Sequence, residues 1–177
     1  MPDRHCPVDD PRPCPERDRA IVSVTRFRAR SLVVLPLFVL HAQRAIAQVQ
    51  AAAGYIAGAV RQDADLVLWT MTVWCDEPAL EVYVASGAHG RAMPHLQGWG
   101  AEAAVVRWAQ DGSELPDWAT AERRLRDQGH APALRHPGPG HADLSFAERP
   151  MRCSGRLRGA SPVGLPNYPP RVPLPKS

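Results

Sequence analysis

The side chain best suited to chemistry in this sequence is His89. Imidazole changes charge near neutral pH and is a common ligand of haem iron. His89, Met93 and Leu96 stand at i, i+4 and i+7, so on a helix the imidazole points with an apolar stripe rather than toward water. Two main readings stand for it: a ligand or acid/base group with Tyr83 as its neighbour, or a core histidine hydrogen-bonded to a strand carbonyl or to Tyr83. Capping of a broken helix is a third. Four of the five tryptophans, Trp69, Trp74, Trp99 and Trp108, fall in the same stretch of chain. Each needs a partner for its indole N–H when buried, as core or interface packing or as the wall of a flat apolar pocket. Trp69 and Met71 are the expected lining of such a pocket.

Other constellations offer less. His130, His136 and His141 are separated by proline and glycine, and Cys6, Cys14, Cys75 and Cys153 lack CxxC spacing, so neither a metal site nor a disulfide framework is expected. No phosphate loop, nucleophile elbow or paired-carboxylate motif is present. The balance of 21 basic against 18 acidic residues, net +3, does not argue for nucleic acid. Arg149, Arg152, Arg156, Arg158 and Arg171 are read as part of a solvated tail. The start of the chain is charged and proline-rich, without the apolar core of a secretory signal, and the longest apolar run, Leu32 to Leu40, is too short to span a bilayer. A cytoplasmic location and no membrane span are the expectations.

The elements that must hold these residues are concentrated in one stretch. Of 19 prolines among 177 residues, three lie between Ala20 and Gln110. That places a small domain at 20–110, a helical extension at 111–130, and segments without structure at 1–19 and 131–177. Ile21 to Phe27 reads as a first strand. Leu35, Phe38, Val39, Ala42, Ile46, Val49 and Ala53 give a helical stripe, with Gly54 at its C-cap. Tyr55 to Arg61 is a second strand, and Gln62 to Asp65 a hairpin turn. Leu66 to Trp74 is a third strand, apolar on both faces. Asp76 caps a second helix, which Gly87 and Pro94 interrupt, and Glu102 to Ala109 is a fourth strand. A short helix follows, with Trp118, Ala121 and Leu125 on one side and Asp117 as its cap.

Strand, helix, strand, strand, helix, strand is the ferredoxin-like βαββαβ arrangement, an α+β fold with both helices on one sheet face. Because the third strand is apolar on both sides, the second face also needs cover. A homodimer through that face supplies it.

Trp74, Asp76, Ala79, Tyr83, Ser86, Gly87, His89, Ala92 and Met93 form a pattern that resembles the dimeric α+β barrel proteins of the antibiotic-biosynthesis-monooxygenase type. Within that group it is most similar to an uncharacterised family and to spheroidene-monooxygenase-like proteins. Haem-degrading relatives carry their ligating histidine about one turn beyond His89, where this chain has Met93, and an asparagine in the first strand, where this chain has Thr25 and Arg26. The resemblance thus implies a monooxygenase-like protein acting on a bulky apolar small molecule, with haem binding through His89 as an option and Tyr83 beside it. Two alternatives remain open: a non-catalytic haem or small-ligand-binding module, and a dimeric structural protein whose pocket is filled by side chains.

Overall fold

A computed structural model describes residues 19–157. The elements are β1 (Arg19–Ala29), a short 3-10 turn (Leu32–Val34), α1 (Leu35–Gln50), β2 (Tyr55–Asp63), β3 (Val67–Trp74), α2 (Glu77–Ala85), α3 (Gly87–Trp99), β4 (Gly100–Asp111), α4 (Trp118–Gln128) and β5 (Met151–Leu157). The strands form one antiparallel sheet in the order β4-β1-β3-β2-β5. Its first four strands, with helices between β1 and β2 and between β3 and β4, are the ferredoxin-like arrangement. The expected α+β fold is the one observed.

Local signals work as their chemistry requires. Asp76 accepts from the Ala79 amide at 3.0 Å, and Asp117 from the Thr120 amide at 2.6 Å, so both helices start where a carboxylate satisfies an unpaired N–H. Gly54 lies at φ +78°, where a Cβ would come within 2.5 Å of the Ala79 Cβ, so the turn into β2 needs glycine both for conformation and for space. Pro94 does not break its helix, contrary to expectation: α3 runs through it to Trp99. The interruption falls earlier, at Ser86, where the backbone is extended, and Gly87, where φ is +58°.

Residues opposite one another in the register share a face. Ile21, Thr25, Phe27, Thr70 and Trp74 face α1 to α3, where Phe27 stacks on Phe38 at 4.8 Å and Val49 and Leu80 pack with Trp74. Val22, Val24, Val67, Trp69, Met71, Val73 and Val106 face the other way and pack with Ala121 and Leu125 of α4 and with Leu144 and Phe146. The face expected to await a second copy is therefore covered within the chain.

That cover corrects the reading of the tail. Residues 131–157 are structured, because the outer edge of β4 supplies partners around residues 130–141 and the edge of β2 supplies them for β5. His130 and Val105 exchange backbone hydrogen bonds at 2.9 and 3.0 Å, and the Gly138 amide donates to Ala101 at 2.7 Å. His141 is buried: its Nδ1 accepts from the Ala103 amide at 3.3 Å and its Nε2–H donates to the Pro132 carbonyl at 3.0 Å. β5 then adds a fifth strand beside β2. The expectations for residues 1–18 and 158–177 lie outside the described residues.

Two further differences concern α1 and the cysteines. The 3-10 turn and α1 together make a 19-residue segment, Leu32–Gln50, with mean hydropathy 1.6, long and apolar enough to cross a membrane by length and composition, and 17% buried. Val39, placed on the inner stripe by its spacing, is exposed, while Phe38 and Val49 are buried. Cys75, just beyond β3, is disulfide-bonded, and Cys153 is a free, exposed thiol.

Candidate functional site

The predicted site residues are divided between the two faces of the sheet. On the helical side stand Trp74, Tyr83 and His89. Trp74 is fully buried, with Nε1 donating to the Thr72 hydroxyl at 2.9 Å and the rings of Tyr55 and Tyr83 at 5.7 and 5.1 Å. His89 packs against Tyr83 at 4.8 Å. Its Nδ1 lies 3.0 Å from the Val84 carbonyl, which only accepts, so the proton is on Nδ1 and the Nε2 lone pair is free of it. Tyr83 does not bond to His89; its hydroxyl donates to the Ala45 carbonyl at 3.4 Å. Gln48 fastens the cluster to α1, accepting from the His89 amide at 2.9 Å and donating to the carbonyls of Tyr83 and Ser86 at 3.3 and 3.2 Å. Met93, one turn further along α3, is exposed.

Burial is the main influence on these groups. It lowers the pKa of His89, aided by the positive charge of Arg107, and raises that of Tyr83; the Tyr55 hydroxyl is pushed up to about 12. A histidine held neutral by the fold binds fewer protons folded than unfolded. Its contribution is therefore fully present above the unfolded pKa of about 6.5 and is progressively lost as pH falls toward the lower folded value. His89→Gln should flatten the stability curve between neutral and mildly acidic pH, as measured by urea titration at a series of pH values. An unchanged slope would mean that His89 titrates normally.

Trp69 and Met71 lie on the opposite face, with α4. This follows from strand alternation: they share parity with Val67 and Val73, whereas Trp74 shares parity with Thr72. Met71 is core. Trp69 belongs to a charged cluster. Its Nε1 donates to Asp63 Oδ2 at 2.8 Å, and Arg61 grips the same carboxylate through two bonds, of 2.6 and 3.0 Å, while also pairing with Glu122. Beside it, Arg26 Nη1 donates to Glu102 Oε2 at 2.7 Å and Arg28 Nη1 to Oε1 at 3.1 Å, with Arg149 Nη2 at 3.8 Å. The Arg26 guanidinium lies 4.0 Å from the centre of the Phe146 ring and 5.7 Å from that of Trp69. Arg26, Arg61, Trp69, Leu125, Phe146 and Arg149 are among the residues around a cavity of about 200 Å³.

A family model described as a domain of unknown function (DUF3291) matches residues 38–154. The chain belongs to this family. The DUF3291 match includes α4 and the segment that closes the cavity, and it begins after Arg26. No curated protein matches the chain. Among solved structures, a conserved protein from Methanosarcina mazei Go1 is similar at 19% identity and a TM-score of 0.46, over 51% of this chain and 92% of that one. A protein of unknown function from Nitrosomonas europaea has 11% identity and a TM-score of 0.47, over 56% and 97% of the respective chains. SnoaB, a cofactor-independent oxygenase from Streptomyces nogalater, has 14% identity and a TM-score of 0.42, over 54% and 94%.

Asp63 escaped the sequence reading because Gln62 and Asp63 look like the start of a turn. In this DUF3291 protein β2 continues through Asp63, and the turn is made by Asp65 and Leu66, both at positive φ. Arg26 did leave a signal: it continues the alternation of Val22 and Val24, so a charged residue stands at an inward position of an apolar strand. Among the described residues, no group of three or more His, Cys, Asp or Glu side chains is arranged to hold a metal ion.

Proposed function

We propose that this chain is a small-molecule-binding protein whose cavity beside Trp69 holds a small planar anion, in the chemical class of aromatic carboxylates. Arg26 carries the argument. Its side chain is 3% exposed and it makes one hydrogen bond among the described residues, to Glu102, although a guanidinium has five N–H donors. It lines the cavity together with Arg61 and Arg149, and the Arg149 Nε is buried without a partner. Asp63, Glu102 and Glu122 are already engaged by guanidinium groups and Glu148 is exposed, so in the buried part of the cavity the interaction left to offer is donation to an acceptor. Trp69 and Phe146 supply aromatic walls for a flat body. At about 200 Å³ the space is smaller than the roughly 300–1,000 Å³ of pockets for drug-sized ligands, so it favours a small molecule over haem.

Calorimetric titration with benzoate should show saturable binding with a Kd near or below about 1 mM, and benzyl alcohol should bind at least about tenfold more weakly. Arg149→Met, at the cavity's edge, should weaken benzoate by a similar factor while leaving the circular dichroism spectrum unchanged. Equal affinity for the acid and the alcohol would reject an arginine-based site.

Oxygenation of a bulky apolar molecule, with or without haem, is a second reading, and it belongs on the other side of the sheet. What favours it is the His89 tautomer: histidine ligands commonly donate their second N–H to a carbonyl, as Nδ1 does here to Val84, leaving Nε2 for iron. Haemin titration should then give a Soret band that His89→Ala abolishes and Met93→Leu preserves. A band unaltered by His89→Ala removes haem ligation by His89 from this reading.

A further inference from the structure

The outer face of α1 has the composition of a surface in need of cover. Val33, Leu37, Leu40 and Arg44 follow one another at steps of four, three and four, along one stripe turned away from the sheet. Leu32, Val33 and Leu37 are 71%, 86% and 53% exposed, and Leu40 is 41% exposed. Single exposed apolar residues are ordinary, but three leucines and a valine on the 3-10 turn and the start of α1 form a patch. Its electrostatic setting is one-sided. From residue 19 to residue 62 the chain contains no aspartate or glutamate, and α3, which packs beside α1, contains none either. Arg30, Arg44 and Arg91 are exposed on these segments.

We propose that this face docks on an anionic lipid surface. Leu32, Val33, Leu37 and Leu40 enter the boundary between headgroups and acyl chains, and Arg30 and Arg44 lie at the level of the lipid phosphates. The charge pattern favours lipid over a second copy of the chain. A twofold contact sets the same patch against itself, so Arg30 and Arg44 would meet arginines with no carboxylate between them. Anionic headgroups complement the same charges.

The helix lies on the membrane rather than crossing it. Although Leu32–Gln50 has the length and hydropathy of a span, its inner side is committed to the protein. Phe38 stacks on Phe27, and Gln48 holds α2 and α3 through bonds to Tyr83, Ser86 and His89. The cavity beside Trp69 is on the opposite sheet face, so docking leaves it open to water. This inference is independent of what that cavity binds.

Sedimentation of the full chain with lipid vesicles tests it. The chain should pellet with vesicles of equal parts phosphatidylcholine and phosphatidylglycerol, remain in solution with phosphatidylcholine alone, and be released by raising salt. Leu37→Glu should weaken binding by at least about tenfold, because it places a like charge among anionic headgroups and removes an apolar anchor. Val82→Glu, at an exposed position on α2, should bind as the parent does and serves as the control. Failure to pellet with anionic vesicles, or equal binding by Leu37→Glu, would overturn the proposal. Light scattering that shows a dimer dissociated by Leu37→Glu, without vesicle binding, would assign the face to a second copy instead.

Discussion

Glu102→Gln is expected to cost about 3–5 kcal/mol of folding stability, although it changes one oxygen to an amide nitrogen. Glu102 is 4% exposed, and among the described residues its carboxylate is the hydrogen-bonding partner of the Arg26 side chain, which is itself 3% exposed. Burial lowers the Arg26 pKa, and the hydrogen bond and charge of Glu102 oppose that shift. Removing the negative charge leaves a desolvated guanidinium facing Arg28 and Arg149, with the charge of Asp63 as the favourable one that remains. Replacing both members of the pair with apolar groups is far less costly, so Glu102→Leu combined with Arg26→Met should recover most of the loss. Urea denaturation of the two single variants and the double gives the coupling directly. If Glu102→Gln costs under about 1 kcal/mol, water reaches the pair and it acts as a surface ion pair.

Much of this architecture can be read from residue types, and where it cannot, the cause is physical. The β-branched run in β1, the two-sided apolarity of β3 and the caps Asp76 and Asp117 are local signals with local consequences. Residues 131–149 carry no periodicity because their order comes from the unpaired edge of β4, far away in sequence. β5 is almost wholly exposed, and its sequence, MRCSGRL, has no apolar alternation to report. Leu35 to Leu40 are nearly all apolar, so spacing alone does not say that Phe38 turns inward and Val39 outward. The division of the predicted site has the same origin. Alternation puts Trp69 and Met71 on one side of β3 and Trp74 on the other, but which side meets α2 and α3 is settled by the crossover connections. The buried cluster of Arg26, Arg61, Asp63 and Glu102 spans three strands, and only their pairing brings its charges together.

Trp74→Ala is expected to cost a further 3–5 kcal/mol or so, the range for deleting a fully buried large aromatic. Trp74 is 0% exposed and joins Tyr55 to Tyr83, with its indole N–H satisfied by Thr72. Trp74→Phe separates two contributions, since it keeps a ring between the tyrosines but loses the donor. It should cost about 1–2 kcal/mol, mostly through the lost hydrogen bond and packing volume. The same substitutions bear on His89. Its low pKa arises chiefly from burial against Tyr83, and Tyr83 is held from behind by Trp74. If Trp74→Ala lets water into the space behind Tyr83, the His89 imidazole, followed by NMR, should titrate closer to the ordinary value of about 6.5, whereas Trp74→Phe should leave it depressed. An equal shift in both variants would mean that the hydrogen bond to Thr72, rather than the volume of the indole, keeps water from His89.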